Sequence, residues 1–171
     1  MNEQGDKGIE SLLVWRQAIE YAVQISNKVF SLLPSVERYA LAAQLRRSAQ
    51  SVSANIAEGY GRYYYQEGIR FCYIARESLE ESYSHLTLAC KMGYLPEELF
   101  HEFAFKTQEL RKLLNGYIAF LKRGKRGVDE PGNHAIREGL ICHDIDDDHD
   151  PTIDFDWSQC GPIPDQPVTK S

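Results

Sequence analysis

The chain has 171 residues and a formal net charge of −6, with 43% hydrophobic and 26% charged residues, a length and balance that fit one globular domain with a buried core. No apolar run approaches the roughly 20 residues that cross a bilayer, and the opening MNEQGDKGIE lacks the hydrophobic stretch of a secretion signal, so a cytoplasmic protein with no membrane partner is expected. The charge is unevenly spread: residues 1–127 carry 17 Lys/Arg and 14 Asp/Glu while residues 128–171 carry 2 and 11, a body near +3 and a tail near −9.

Apolar residues recur at three- and four-residue steps in four segments, the periodicity of amphipathic helices. The first covers residues 9–33, with Leu12, Trp15, Ile19, Ala22, Ile25, Val29 and Leu33 on one stripe. Pro34 cannot continue it, and Ser35 is placed to cap the next helix by accepting a bond from a first-turn amide. That second helix covers 36–58, with Leu41, Leu45, Val52 and Ile56 inward, and Gly59 and Gly61 supply the positive-φ or unhindered positions that end it. The third covers 65–92, carrying Phe71, Ala75, Leu79, Leu86 and Ala89, and Gly93 caps it. Pro96, Glu97 and Glu98 suit the first turn of a fourth helix, where a missing amide is harmless and negative charge meets the positive end of the macrodipole. Leu99, Phe103, Leu110, Leu113, Leu114, Tyr117 and Leu121 form its stripe, which ends at Lys122 and Arg123.

Rods of this length joined by short connections must lie beside their sequence neighbours. The expected fold is therefore all-α, an antiparallel up-down-up-down four-helix bundle with a disordered acidic C-terminal tail. Its divisions are a flexible N-terminus over 1–8, the bundle over 9–123 and the tail over 124–171, where prolines and aspartates replace the helical period.

The chemistry-bearing residues point to binding, not catalysis. Arg46, Arg47, Asn55, Glu58, Arg62, Glu67, Arg70, Arg76, Glu77, Glu80 and Glu81 gather in sequence around the hinge between helices two and three. On the structural reading Glu58 and Glu67 pair with Arg62, Arg70 or Arg46, and Asn55 ties the turn beside Gly59 and Gly61. On the functional reading Arg46, Arg47, Arg62 and Arg70 contact nucleic-acid phosphates, joined by the cluster Lys122, Arg123, Lys125 and Arg126. Tyr60, Tyr63, Tyr64 and Tyr65 flank Arg62 and would either stack bases or cover the end of the core. Small residues crowd the second helix at Ala42, Ala43, Ser48, Ala49, Ser51, Ser53, Ala54 and Ala57, more than one packed face requires, which hints at a subunit interface.

No nucleophile elbow, phosphate loop or dinucleotide-binding glycine motif is present, so no catalytic residue and no cofactor is expected. The only Glu-x-x-His is Glu98 to His101, where a di-iron bundle needs two. Cys72, Cys90, Cys142 and Cys160 show no Cys-x-x-Cys spacing, and no metal site follows. In the tail Asp144, Asp146 and Asp148 imitate a calcium loop, but His149 stands at its sixth position and Phe155 at its twelfth. Ile153, Phe155 and Trp157 among acids form a possible docking motif.

The stretch from Gln44 to Arg62, and above all Asn55-Ile-Ala-Glu-Gly-Tyr-Gly-Arg62, resembles the signature of the bacterial four-helix-bundle family first met as reading frames inserted in 23S ribosomal RNA genes. Trp15 with Ala18, Leu33-Pro34, Glu67 with Phe71, Ile74-Ala75, Ser78-Leu79-Glu80-Glu81 and Gly93-Tyr94-Leu95 extend the similarity over residues 12–122. The resemblance implies a left-handed antiparallel bundle assembled as a homo-oligomer, a pentameric ring in relatives. A more distant similarity, to the accessory protein of diversity-generating retroelements, implies work beside a reverse transcriptase on RNA or DNA. Tyr63-Tyr64-Tyr65 and the long tail depart from the family pattern. Two functions follow as expectations: a nucleic-acid-associated oligomer, or a protein-interaction module acting through the tyrosine-rich hinge and the acidic tail. In the first, the tail competes with phosphate for residues 122–126.

Overall fold

The structure, a computed structural model, describes residues 8–124. Apart from Gly8 and from Gly124, which belongs to the last helix, the expected N-terminal segment and tail lie outside that range, as do Lys125, Arg126 and the tail motifs. A 3₁₀ turn, Ile9–Ser11, precedes α1 (Leu13–Lys28), and a second, Ser35–Tyr39, precedes α2 (Leu41–Tyr60); α3 (Tyr65–Lys91) and α4 (Glu97–Gly124) follow. These helices hold 16, 20, 27 and 28 residues, rods of roughly 24 to 42 Å at 1.5 Å per residue.

Contacts between α1 and α2, α2 and α3, α3 and α4, and α1 and α4 close the helices into a cycle around one core. Paired residues fix the directions. Ser51 bonds Ser78 and Gly59 meets Gly68, so α2 and α3 are antiparallel. Arg76 bonds Asn115 and Arg111 bonds Glu80, so α3 and α4 are antiparallel. Lys28 meets Glu102 while Tyr21 meets Thr107, which reverses α4 against α1.

Burial of one face per helix holds the bundle, because isolated helices of this length are marginal in water. Val14, Ala18, Tyr21 and Ile25 of α1 are buried with Leu45, Val52 and Ile56 of α2, Leu79 and Leu86 of α3, and Phe103, Leu110 and Leu114 of α4. One polar knot sits inside. The Tyr21 ring meets Phe103 edge-on, with centroids 6.1 Å apart, and its hydroxyl lies 3.0 Å from Thr107 Oγ1 and 3.3 Å from Ser82 Oγ. Thr107 spends its hydrogen on the Phe103 carbonyl at 2.8 Å, so Tyr21 donates to Thr107 and accepts from Ser82. Burial pushes the Tyr21 phenol above its ordinary range, with the two hydroxyl partners opposing.

The structure corrects the sequence reading in α1 and α2. The inward stripe of α1 is turned toward Val14, Ala18 and Tyr21, whereas Ile19 is exposed. The α-helix also stops at Lys28 instead of residue 33, and α2 begins at Leu41, not at residue 36. None of Ser35–Tyr39 is buried, so no packing draws that stretch into a regular helix. Ser35 makes no capping bond there. Instead the Glu37 carboxylate accepts from the Leu41 amide at 3.3 Å, supplying negative charge at the start of α2.

Gly59 is likewise not a terminator but a buried member of α2. A Cβ there would stand 2.9 Å from Phe71 Cβ and 3.0 Å from the Gly68 carbonyl oxygen, so glycine permits the close crossing of α2 and α3. Gly61 has an ordinary φ of −74°, and the only positive-φ glycine among the described residues is Gly93, at 75°. Gly93 ends α3 as the sequence leads one to expect. The Tyr94 amide bonds the Ala89 carbonyl and the Gly93 amide bonds the Cys90 carbonyl, both at 2.9 Å, the two bonds of a Schellman motif.

Candidate nucleic-acid interface

Antiparallel wiring brings the end of α2, the start of α3 and the end of α4 to one end of the bundle. A Cβ at Gly68 would lie 3.2 Å from the Gly59 carbonyl and 3.5 Å from Leu121 Cδ1, so three helices meet there. Beneath them is a small apolar cluster of Ile69, Cys72 and Ile118, flanked by Tyr65, Tyr73, Tyr117 and Leu121. Tyr63 and Tyr64 pack edge to face above the turn, 5.2 Å between centroids. The tyrosines thus serve the bundle end, while Tyr60 and Tyr63 keep substantial exposed surface.

Arg62, Arg70, Lys122 and Arg123 are all exposed at this end. Arg62 is committed: it forms an ion pair with Glu58 one turn back and lies over the Phe71 ring, 5.0 Å from its centroid. Arg70, Lys122 and Arg123 form no ion pair among the described residues. Glu67 sits half-buried in the first turn of α3, where its charge suits the helix dipole, and it does not make the expected arginine pair. Asn55 does not tie the turn either. Its amide donates to the Ser51 carbonyl at 2.8 Å and to Ser51 Oγ at 2.9 Å, within α2.

Arg46 and Arg47 stand elsewhere, about 24 Å of helical rise from Arg62, so the eight cations expected to bind phosphate do not form one patch. Arg46 lies 4.7 Å over the Phe30 ring and Arg47 bonds Gln44. Arg76 and Glu80 also leave the hinge cluster for the α3–α4 seam. There Glu80 takes two bonds from Arg111, at 2.6 and 2.8 Å, a partner that spacing within one helix cannot reveal. Half of the small residues of α2, namely Ala42, Ser48, Ala49 and Ser53, are buried within this one chain, and Ala54 is exposed. The surplus suggesting a subunit interface is correspondingly reduced.

Burial acts on the titratable groups under this end. It pushes the Cys72 thiol from 9.0 up to about 12 and the Tyr117 phenol from 10.0 up to about 12, the latter aided by Cys72 and Tyr60 nearby. Both groups hold their protons more tightly folded than unfolded. Stability from them is therefore constant below about pH 9 and falls as pH rises toward 12. Urea midpoints are expected to be flat from pH 7 to 9 and to decline above it, with Cys72→Ala removing the earliest part of the decline. A midpoint that holds constant to pH 11 would contradict this placement.

Among the described residues no group of three His, Cys, Asp or Glu is placed to hold a metal, and Cys72 and Cys90 are free thiols. No described helix is long and apolar enough to cross a membrane.

These features define an antiparallel four-helix bundle with a core cross-linked by buried hydroxyls and with exposed Arg70, Lys122 and Arg123 towards one end. The chain belongs to the 23S rRNA-intervening sequence protein family, whose sequence model matches residues 10–116. It is similar to a crystal structure of a protein with unknown function from the S23 ribosomal protein family of Bacteroides thetaiotaomicron. The two are 26% identical with a TM-score of 0.57, over 62% of this chain and 98% of that one. No curated protein matches the sequence.

Proposed function

We propose that the protein is a non-enzymatic, homo-oligomeric scaffold of the cytoplasm that associates with nucleic acid through the end of the bundle where α2, α3 and α4 meet. The observation that carries this reading is the group Arg70, Lys122 and Arg123, exposed and without carboxylate partners among the described residues. Cations of this kind neutralise phosphate and release counterions, which makes binding strong at low salt and independent of base sequence. Lys125 and Arg126 continue the cluster in sequence. Oligomerisation draws support from apolar side chains left outside, including Phe105 and Phe120, which are 64% and 59% exposed.

The test is a titration of a fluorescent RNA duplex at several salt concentrations. Log affinity is expected to fall linearly with log salt, by roughly 0.9 per phosphate contact. Lys122→Glu with Arg123→Glu should weaken binding about tenfold at low salt and flatten the slope by about two contacts. If neither duplex nor single strand binds at low ionic strength, the nucleic-acid reading is wrong. The protein-interaction reading, which rests on the tyrosine-rich hinge, where Tyr60 and Tyr63 are exposed, and on the acidic tail, then takes its place.

A further inference from the structure

A second aromatic and cationic surface lies at the α1–α2 connection, away from the cluster just described. Tyr39 and Val36 are 87% and 78% exposed, the highest values among the large hydrophobic side chains described. Neither is on a loose strand of backbone. The 3₁₀ turn that carries them is closed by bonds from the Glu37 amide to the Pro34 carbonyl at 2.9 Å and from the Ala40 amide to the Glu37 carbonyl at 3.1 Å. The Glu37 side chain also pins the turn to the first amide of α2. An aromatic ring is thus held out in water on an ordered support.

The stretch of chain that follows it is cationic. From Arg38 to Ala57 the sequence contains three arginines and no acidic residue, and Glu37, the nearest carboxylate before them, is engaged with a backbone amide. Arg38, Arg46 and Arg47 make no ion pair among the described residues. Arg46 instead lies over Phe30, 4.7 Å from the ring centroid, an arrangement that orients a guanidinium without neutralising it. Arg47 is steadied by the neutral Gln44. Arg46 and Arg47 begin about 8 Å of helical rise into α2, within the span of a nucleotide or two from the turn.

We propose that this surface, Tyr39 with Arg38, Arg46 and Arg47, is a contact for single-stranded nucleic acid, in which Tyr39 stacks an unpaired base and the arginines hold the adjoining phosphates. The inference rests on the nucleic-acid reading above and gives it a strand preference. Aromatic faces beside cations bind single strands because every base offers a π-face, whereas duplex bases are already stacked and out of reach. Three cations without an ion-pair partner among the described residues favour a polyanion over an apolar protein partner.

The test compares the full chain with its variants on a fluorescent 12-nucleotide oligo(U) and on an RNA duplex of equal length. Tyr39→Ala is expected to weaken oligo(U) binding about tenfold and to leave duplex binding unchanged, while Tyr39→Phe, which keeps the ring, retains the affinity. Arg46→Gln with Arg47→Gln should weaken oligo(U) binding and flatten its salt dependence. Unchanged oligo(U) affinity in Tyr39→Ala, with wild-type binding intact, overturns this contact and leaves the cluster at the other end standing. Equal losses on both nucleic acids overturn the strand preference and with it the proposal. Light scattering completes the set: a fall in assembled mass in Tyr39→Ala would make Tyr39 an interface between copies of the chain and also overturn the proposal. Failure of wild type to bind either probe removes both readings together.

Discussion

Replacing Phe103 with alanine is expected to lower the unfolding free energy by about 3–5 kcal/mol. Phe103 is fully buried and heads the largest such side chains, with its ring edge-on to Tyr21 across α1 and α4. Truncation loses the transfer energy of the ring and leaves a cavity that α1 and α4 can only partly close. The hydroxyl knot limits collapse, because Thr107 bonds the Phe103 carbonyl and Tyr21 bonds Thr107. Against a domain stability of about 5–15 kcal/mol the loss is a large fraction. Urea denaturation should show a lower midpoint with an unchanged slope. A loss under about 1 kcal/mol would mean the site repacks freely, contrary to the described core.

Gly59→Val is the second large effect, and its cause is steric. Already the first side-chain carbon would stand 2.9 Å from Phe71 Cβ and 3.0 Å from the Gly68 carbonyl, positions fixed by α3 itself and not by the tip of a flexible side chain. Valine adds two methyl groups to that crowding, so α2 and α3 must separate, at a cost of about 3 kcal/mol. Gly61→Ala is the control. Its nearest neighbours are 3.6 and 3.8 Å away and its φ is ordinary, so alanine should be neutral or stabilising by a few tenths of a kcal/mol. Thermal unfolding of both variants decides the matter, and equal midpoints would refute the crossing. Because Gly68 at this crossing also meets Leu121 of α4, Gly59→Val should disturb that end of the bundle as well as the core.

How much could be read in advance differs between the two halves of the bundle. In α3 and α4 the boundary signals are local: Gly93 takes the left-handed conformation, and Pro96 with Glu97 and Glu98 opens α4. In α1 and α2 they are not. The apolar period continues past Lys28 and starts again at Val36, yet α1 ends at Lys28 although Val29 is buried, and none of residues 35–39 is buried to hold that stretch as a regular helix. Ile19 and Tyr21 show the same limit. Hydropathy favours the isoleucine for the core, but Tyr21 goes inside because Ser82 and Thr107, 61 and 86 residues away, satisfy its hydroxyl.

Four amphipathic helices, the family signature around Asn55 to Arg62 and the list of cations were legible in the chain alone, because period, composition and short motifs are local properties. Which end of the bundle each cation occupies follows from packing. Antiparallel packing brought the end of α4, with Lys122 and Arg123, to the end of the bundle where α3 begins and left Arg46 and Arg47 at a distance along α2. It also turned Gly59 from a helix stop into a point of contact. Proximity across helices depends on direction, rotation and crossing, and those are fixed by burying four faces at once, which no single segment encodes.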